Sequence, residues 1–280
     1  MKIPILYEDK DCVVINKPAG LIVHPDGRQT GLKASKTKAK TLVDWILKKY
    51  PRIKNVGEPI ILDDGSPEKI LPDGKSKIFR ALDGKSNVSG KTLTGKIIFR
   101  PGIVHRTDRD TTGVLIIAKN QKAYEFLKGQ FKARKVRKVY QAFLYGDLKE
   151  ERGMIDRPIG RSSTDFRKWS AQRGTRGEMR EAITYFKVLN RKEGFTFVEV
   201  LPKTGRTHQI RVHFSAINHP LIQDKLYATP FYLSKKQQLG FKRTALHARE
   251  LEIKLPSGKI LTVIAPYPED FEEAIKKIQK

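Results

Sequence analysis

A single cysteine, Cys12, is all that the 280 residues contain, and it stands in the apolar run Cys12-Val13-Val14-Ile15. An internal disulfide is therefore excluded, as is a zinc site built on cysteines, and a reducing compartment fits. Long apolar runs are missing too. The stretch Met1 to Tyr7 meets Glu8 and Asp9 before any apolar core develops, and nothing further along approaches the roughly 20 residues of a membrane span. These absences describe a cytoplasmic, soluble protein with no membrane attachment. Phosphate-cradling glycine loops, dinucleotide fingerprints, internal repeats and low-complexity tracts are also lacking, so no nucleotide cofactor is indicated.

Acidic residues are scarce beside basic ones: 30 Asp and Glu against 56 Lys and Arg leave a formal net charge of +26. Such an excess suits a polyanion, because neutralising phosphates releases condensed counterions. An anionic membrane surface is the competing partner. The bland alternative is excess lysine that only solvates the surface, and charge alone does not decide. Hydrophobic residues at 39% and aromatics at 9% fit an ordinary globular protein, long enough for one large domain or two small ones.

Ile5-Leu6-Tyr7 and Cys12 to Ile15 read as a hairpin across the polar turn Glu8 to Asp11. Thr41 is a plausible N-cap for a helix carrying Leu42, Val43, Ile46, Leu47 and Tyr50, stopped by Pro51. Asn120 heads a second helix with Ala123, Phe126, Leu127 and Phe131 on one face, and Pro268 to Ile278 forms a third. Strands are expected at 138–146, 182–189, 195–201, 205–214 and 251–255. Strands outnumber helices without alternating with them, which predicts an α+β fold with a mixed, largely antiparallel sheet flanked by helices and loops. Residues 1–280 are read as a single domain, with a basic loop over 27–40 carrying Lys33, Lys36, Lys38 and Lys40, and an insertion at about 56–98.

Two segments concentrate chemistry. His105-Arg106-Thr107-Asp108-Arg109-Asp110 packs charge into six residues, followed by Thr111-Thr112-Gly113 and the apolar strand Val114 to Ala118. Arg106 and Arg109 favour an ionised Asp108, suited to nucleophilic or base work. Local chemistry equally allows a turn cap paired with an arginine. The second segment is Thr204-Gly205-Arg206-Thr207-His208-Gln209-Ile210-Arg211-Val212-His213. Read as a strand, it places Thr207, Gln209, Arg211 and His213 on one face and His208 on the other, so His208 and His213 point apart and share no metal. A site using His219 is a weaker idea still. Tyr140 is apolar enough for a core and flat enough to stack on a base.

Taken together, His105-Arg106-Thr107-Asp108 with Thr111-Thr112-Gly113 resembles the H-R-L-D-x-x-T-S-G motif of the RluA-type pseudouridine synthases. The resemblance continues, in the family's order, through Ile15 to Leu21, Lys138-Val139-Tyr140, Glu181 to Tyr185, Thr204 to His213 and His219 to Asp224. It implies an isomerase that acts on uridine in structured RNA, ribosomal RNA of the large subunit first and transfer RNA second, with no cofactor and no metal. It also implies the pseudouridine synthase fold, a monomer, and no membrane. By the same resemblance Asp108 is the essential carboxylate, acting at the sugar as nucleophile or base. Arg211 pairs with it, Tyr140 stacks on the target base, and Arg106 enters the space left by a flipped nucleotide. His105, Lys17, Lys138, Arg206 and Gln209 are further candidates for contacts with RNA. Thr107 replaces the usual Leu and Thr112 the usual Ser, and no separate S4-like domain is expected. A catalytically idle RNA-binding protein would share the charge and the fold, and a metal-dependent nuclease would use His208, His213 and nearby carboxylates.

Overall fold

A computed structural model describes residues 2–23, 41–58, 60–62, 96–98, 100–172, 175–234 and 239–279. The basic loop expected at 27–40 and most of the insertion expected at 56–98 lie outside them. The chain opens with the expected hairpin, β1 (Ile5–Glu8) antiparallel to β2 (Cys12–Lys17). Asp9 makes the turn: its carboxylate accepts the backbone N–H of Asp11 at 2.8 Å and of Cys12 at 2.7 Å. Helix α1 (Leu42–Lys49) begins in a capping box, in which Thr41 Oγ1 accepts from Asp44 N–H while the Asp44 carboxylate accepts from Thr41 N–H. Short strands β3 (Ile60–Leu62) and β4 (Lys96–Ile98) pair with each other.

β5 (Thr112–Ala118) follows the charged loop, then α2 (Gln121–Lys132), capped by the Asn120 side chain on Ala123 N–H. Next come β6 (Arg137–Tyr145), β7 (Arg152–Asp156), β8 (Ile159–Ser162), β9 (Trp169–Ser170), β10 (Thr175–Arg180), β11 (Ile183–Lys192) and β12 (Phe195–Pro202). Helices α3 (Gln209–Ala216) and α4 (Pro230–Ser234), strands β13 (Leu246–Lys254) and β14 (Ile260–Ile264), and α5 (Glu269–Gln279) complete the order. Among the described residues no helix is long and apolar enough to cross a membrane.

The main sheet runs β1-β2-β5-β13-β6-β12-β11-β7, with β14 beside β13. All its pairings are antiparallel except β5 with β13. Both faces are covered, which is why β2 and β5 read as unbroken apolar runs. Val13, Ile15, Leu115 and Ile117 pack under α1, whereas Cys12, Val14, Val114 and Ile116 pack under α2. In the other half, Ala142, Leu144, Val198 and Val200 meet Ile210 and Phe214 of α3, and Phe143 and Phe197 meet Phe271 of α5. A smaller sheet, β10-β8-β9, joins this half where Ile159 and Trp169 pack with Val212 and Tyr227.

One expected strand is corrected. Residues 205–214 form a turn and then α3, so the alternation of Thr207, Gln209, Arg211 and His213 across a strand does not hold. Ile210, Val212 and Phe214 do alternate and have high strand propensity, but Ile210 and Phe214 are also four apart. The apolar face of β6 and β12 receives them in that helical spacing, and this packing overrides the local preference. The turn itself is built by Gln209, whose side chain accepts from Thr204 Oγ1 and Arg206 N–H and donates to Ile183 O and Thr184 Oγ1.

Gly113 is what lets β5 close on β13. It sits at φ +107°, and a Cβ there would lie 2.1 Å from the carbonyl oxygen of Ala248. Gly113→Ala is expected to destabilise the fold by about 3 kcal/mol or more, against about 1 kcal/mol for Thr41→Ala, which removes only a cap. Urea unfolding of the two variants checks the order.

Candidate active site

The loop from His105 to Thr111 hangs between the start of β5 and its neighbours by contacts at several points. His105 Nε2 accepts the backbone N–H of Ile116 at 3.1 Å, and the ring stacks on Phe131 with centroids 4.5 Å apart. Burial, with the Lys138 ammonium nearby, pushes the His105 pKa down to about 3, so the ring is neutral and keeps its acceptor. Lys17 is 1% exposed and donates to the carbonyls of Pro18, Leu21 and Arg109 at 2.9, 3.0 and 2.9 Å. Burial lowers its pKa to about 7, while Asp108 and Asp110 pull it back up. Arg243, just ahead of β13, donates to the Asp110 carbonyl at 2.9 Å and reaches Asp270.

Asp108 projects from this loop toward α3. Arg211 Nη1 donates to Asp108 Oδ2 at 3.0 Å, and Nε and Nη2 of the same guanidinium grip Asp224 at 2.7 and 2.8 Å. Asp224 is fully buried and also accepts the backbone N–H groups of Leu226 and Tyr227. His208, at φ +56° immediately before α3, lies three residues ahead of Arg211, and its Nε2 stands 4.0 Å from Asp108 Oδ1. Burial works to raise the Asp108 pKa, but the charge His208 carries when its ring is protonated, together with the Arg211 and Arg106 cations, more than offsets it and holds the carboxyl below its ordinary range. The two carboxylates and their bonds drive the Arg211 pKa above its usual value against the effect of burial. Arg109 contributes little here, since its side chain faces Asp110 at 3.8 Å.

A single pocket is lined by Arg106, Asp108, Tyr140, Arg206, His208 and Arg211 among others. Tyr140, on β6, is half-buried; burial first and the Asp108 charge second raise its phenol pKa, so it stays protonated. Arg106 is exposed at the mouth. Lys138 donates to the Thr204 carbonyl at 3.1 Å, and burial with Arg134 nearby lowers its pKa to about 8. Arg206 donates to the Glu181 carbonyl at 3.0 Å. Lys17 and Gln209, by contrast, direct their polar groups into the fold. Thr112 uses the hydroxyl that a Ser would also have, at 2.9 Å from His247 Nδ1. The Thr107 hydroxyl is buried with no hydrogen-bond partner, and nothing in the structure explains why Thr stands there.

His213 and His208 do lie apart. His213 bonds Thr184 and the Arg157 carbonyl, whereas His208 meets Tyr227 and faces Asp108. Asp224, Tyr227 and Arg243 escaped sequence reasoning as site residues. A signal existed for Asp224, which ends the stretch from His219 that resembles the family, but its partner becomes visible only once α3 is a helix. An ionised carboxylate with one oxygen held by Arg211 and the other facing the pocket, beside a protonated phenol and basic side chains, suits attack or proton abstraction on an anionic polymer.

Comparison with known proteins identifies the family. Residues 80–216 match the family model described as RNA pseudouridylate synthase. The chain is 34% identical to an uncharacterized RNA pseudouridine synthase of Synechocystis over 273 residues, 97% of this chain and 67% of that one. It is also 34% identical to the ribosomal large subunit pseudouridine synthase D of Pseudomonas aeruginosa, over 97% of this chain and 70% of the other. The solved structure of human RNA pseudouridylate synthase domain containing 1 shares the fold, with a TM-score of 0.63 at 24% identity, over 95% of this chain and 84% of that one. The chain thus belongs to the RNA pseudouridine synthases, an isomerase family. Within that family it is of the RluA type.

Asp224→Asn keeps the shape but leaves the buried guanidinium short of a charge. It is expected to cost about 3 kcal/mol of stability and to reduce pseudouridine formation, as read by thermal unfolding and by assay on an RNA transcript.

Proposed function

We propose that this chain isomerises particular uridines of 23S ribosomal RNA, acting as a cytoplasmic monomer, with Asp108 as the catalytic carboxylate on a flipped-out uridine. The observation that carries the proposal is the contact of Asp108 with Arg211 in the pocket that also holds Tyr140 and Arg106. Relatives from Pseudomonas aeruginosa, Zymomonas mobilis and Xanthomonas campestris bear the name ribosomal large subunit pseudouridine synthase D, at 34, 31 and 32% identity, which supports the choice of RNA.

In this reading Arg106 occupies the gap in the RNA as the nucleotide swings out, and the uracil stacks on Tyr140. Asp108 acts at the ribose through Oδ1, the oxygen that Arg211 leaves open. The bond from base nitrogen to C1′ breaks, the uracil turns, and a bond from its C5 to C1′ forms. The hydrogen displaced from C5 is balanced by one gained on the released nitrogen, so nothing enters or leaves overall. Hydrolytic glycosidases usually need a second carboxylate to handle water, and a reaction without water needs none. Lys138 and Arg206 sit at the pocket where phosphates of the bound strand would pass.

Asp108→Asn is expected to abolish pseudouridine formation in a 23S transcript while RNA binding stays near the wild-type level; unchanged turnover would sink the assignment. Turnover should be indifferent to EDTA, and strong inhibition would favour a metal-dependent nuclease. Mapping pseudouridines in cellular RNA with and without the gene is expected to show loss at sites in 23S rRNA, and an unaltered map of that RNA would overturn the choice of substrate.

A further inference from the structure

The Asp108 carboxylate has two unlike oxygens. Oδ2 takes a hydrogen bond from a cation, Arg211, at 3.0 Å, whereas Oδ1 is bordered by His208 Nε2 at 4.0 Å. What His208 offers Oδ1 depends on which ring nitrogen carries the hydrogen, and Tyr227 decides that. The Tyr227 hydroxyl oxygen already accepts the backbone N–H of Trp169 at 3.0 Å, and it lies 2.8 Å from His208 Nδ1. A phenol has one proton to give. Among the described residues Nδ1 is the only acceptor within reach of that proton, and a neutral ring that accepts it there carries its own hydrogen on Nε2, toward Asp108.

We propose that His208 is a positioning residue for Asp108, with its tautomer set by Tyr227, and that this dyad borders Oδ1 with a neutral N–H in place of a second cation. The proposal rests on the reading of Asp108 as the catalytic carboxylate. The reason for such a device is chemical. A protonated His208 would pair with Oδ1 and withdraw the oxygen that has to react, while an apolar neighbour would leave it unoriented. The dyad is continuous with the Arg211 grip: Tyr227 N–H donates to Asp224, and the Arg211 guanidinium lies 5.0 Å from the centre of the Tyr227 ring. The left-handed backbone of His208 is what sets its ring on this side of the turn. The charged groups that act on His208 are Asp108 and Asp224, which favour its protonated form, and Arg211 and Arg106, which oppose it. Burial is the largest influence, and the net effect lowers the His208 pKa.

The sign of the test follows. Tyr227→Phe keeps the ring beside Arg211 but removes a donor that only neutral His208 can accept, so His208 protonates at higher pH. Two measurements on the full chain separate the outcomes. Nitrogen-15 NMR of the histidine rings, without RNA, is expected to show the Nε2–H tautomer for His208 in the wild type and its loss in Tyr227→Phe; an Nδ1–H tautomer in the wild type overturns the proposal. Single-turnover pseudouridine formation on a 23S transcript is then followed from pH 5 to 8. The acid limb of Tyr227→Phe is expected to move up by about one unit. His208→Gln should be slower by about tenfold, and the double variant should show no shifted limb. Rates that fall in parallel at every pH mean that the dyad is only structural, which overturns the proposal. A wild type with the expected tautomer that forms no pseudouridine overturns the reading of the reaction itself, and is distinguished because the tautomer is read without RNA.

Discussion

Arg211 is shared between two carboxylates, and the site depends on how unequally it is shared. Asp224, wholly buried, takes the forked pair of Nε and Nη2, and its remaining capacity is filled by two backbone N–H groups. That fork fixes the plane and position of the guanidinium before Asp108 is considered, which leaves a single Nη1 contact for Asp108. Burying three charges together is costly unless each has partners, and here each does. The arrangement works as a preset mould for one carboxylate, with the orienting work done by a residue that never meets the pocket.

The same division holds on the other side of Asp108. The loop that carries it is ordered by groups whose ordinary chemistry has been suppressed. His105 is kept neutral by burial and serves as an acceptor for a strand N–H. Lys17 gives its three donors to carbonyls, that of Arg109 among them, and Arg243 ties the next carbonyl along, that of Asp110. Basic residues near an anion-binding site are easily taken for ligand contacts. Here Lys17 is part of the scaffold, and the large positive charge of the chain resides in other side chains.

Much of this was legible in the sequence, and for identifiable reasons. The hairpin at Asp9 and the helices headed by Thr41 and Asn120 were readable because their signals are local: an Asx turn, a capping box and an N-cap. Asp108, Arg211 and Tyr140 were readable as a set through family resemblance, and the fold brings all three to one pocket. The helix at 209–216 was not readable, because eight residues satisfy both a period of two and a spacing of four, and only the facing surface of β6 and β12 chooses between them. The contact between His208 and Tyr227 was hidden for a different reason. Their partnership spans a turn, a helix and a loop, and no window of sequence contains it.

The one parallel pairing in the main sheet gives the fold a seam. On one side lie β1, β2 and β5 with the loop of Asp108; on the other lie β13, β6, β12, β11 and β7 with Tyr140, and α3 with Arg211 packed on them. Because β5 and β13 run the same way, their starting ends lie side by side, with Thr112 paired to His247, and the loops that precede them meet there. Below that point the two sides share one apolar cluster, in which Val114 and Ile116 of β5 pack with Leu251 and Ile253 of β13, so the boundary is held by core packing as well as by the strand pairing. The loop of Asp108 and the surface that carries Tyr140 and Arg211 are thereby set against each other by the core of the sheet, and a core substitution far from the pocket would move one against the other.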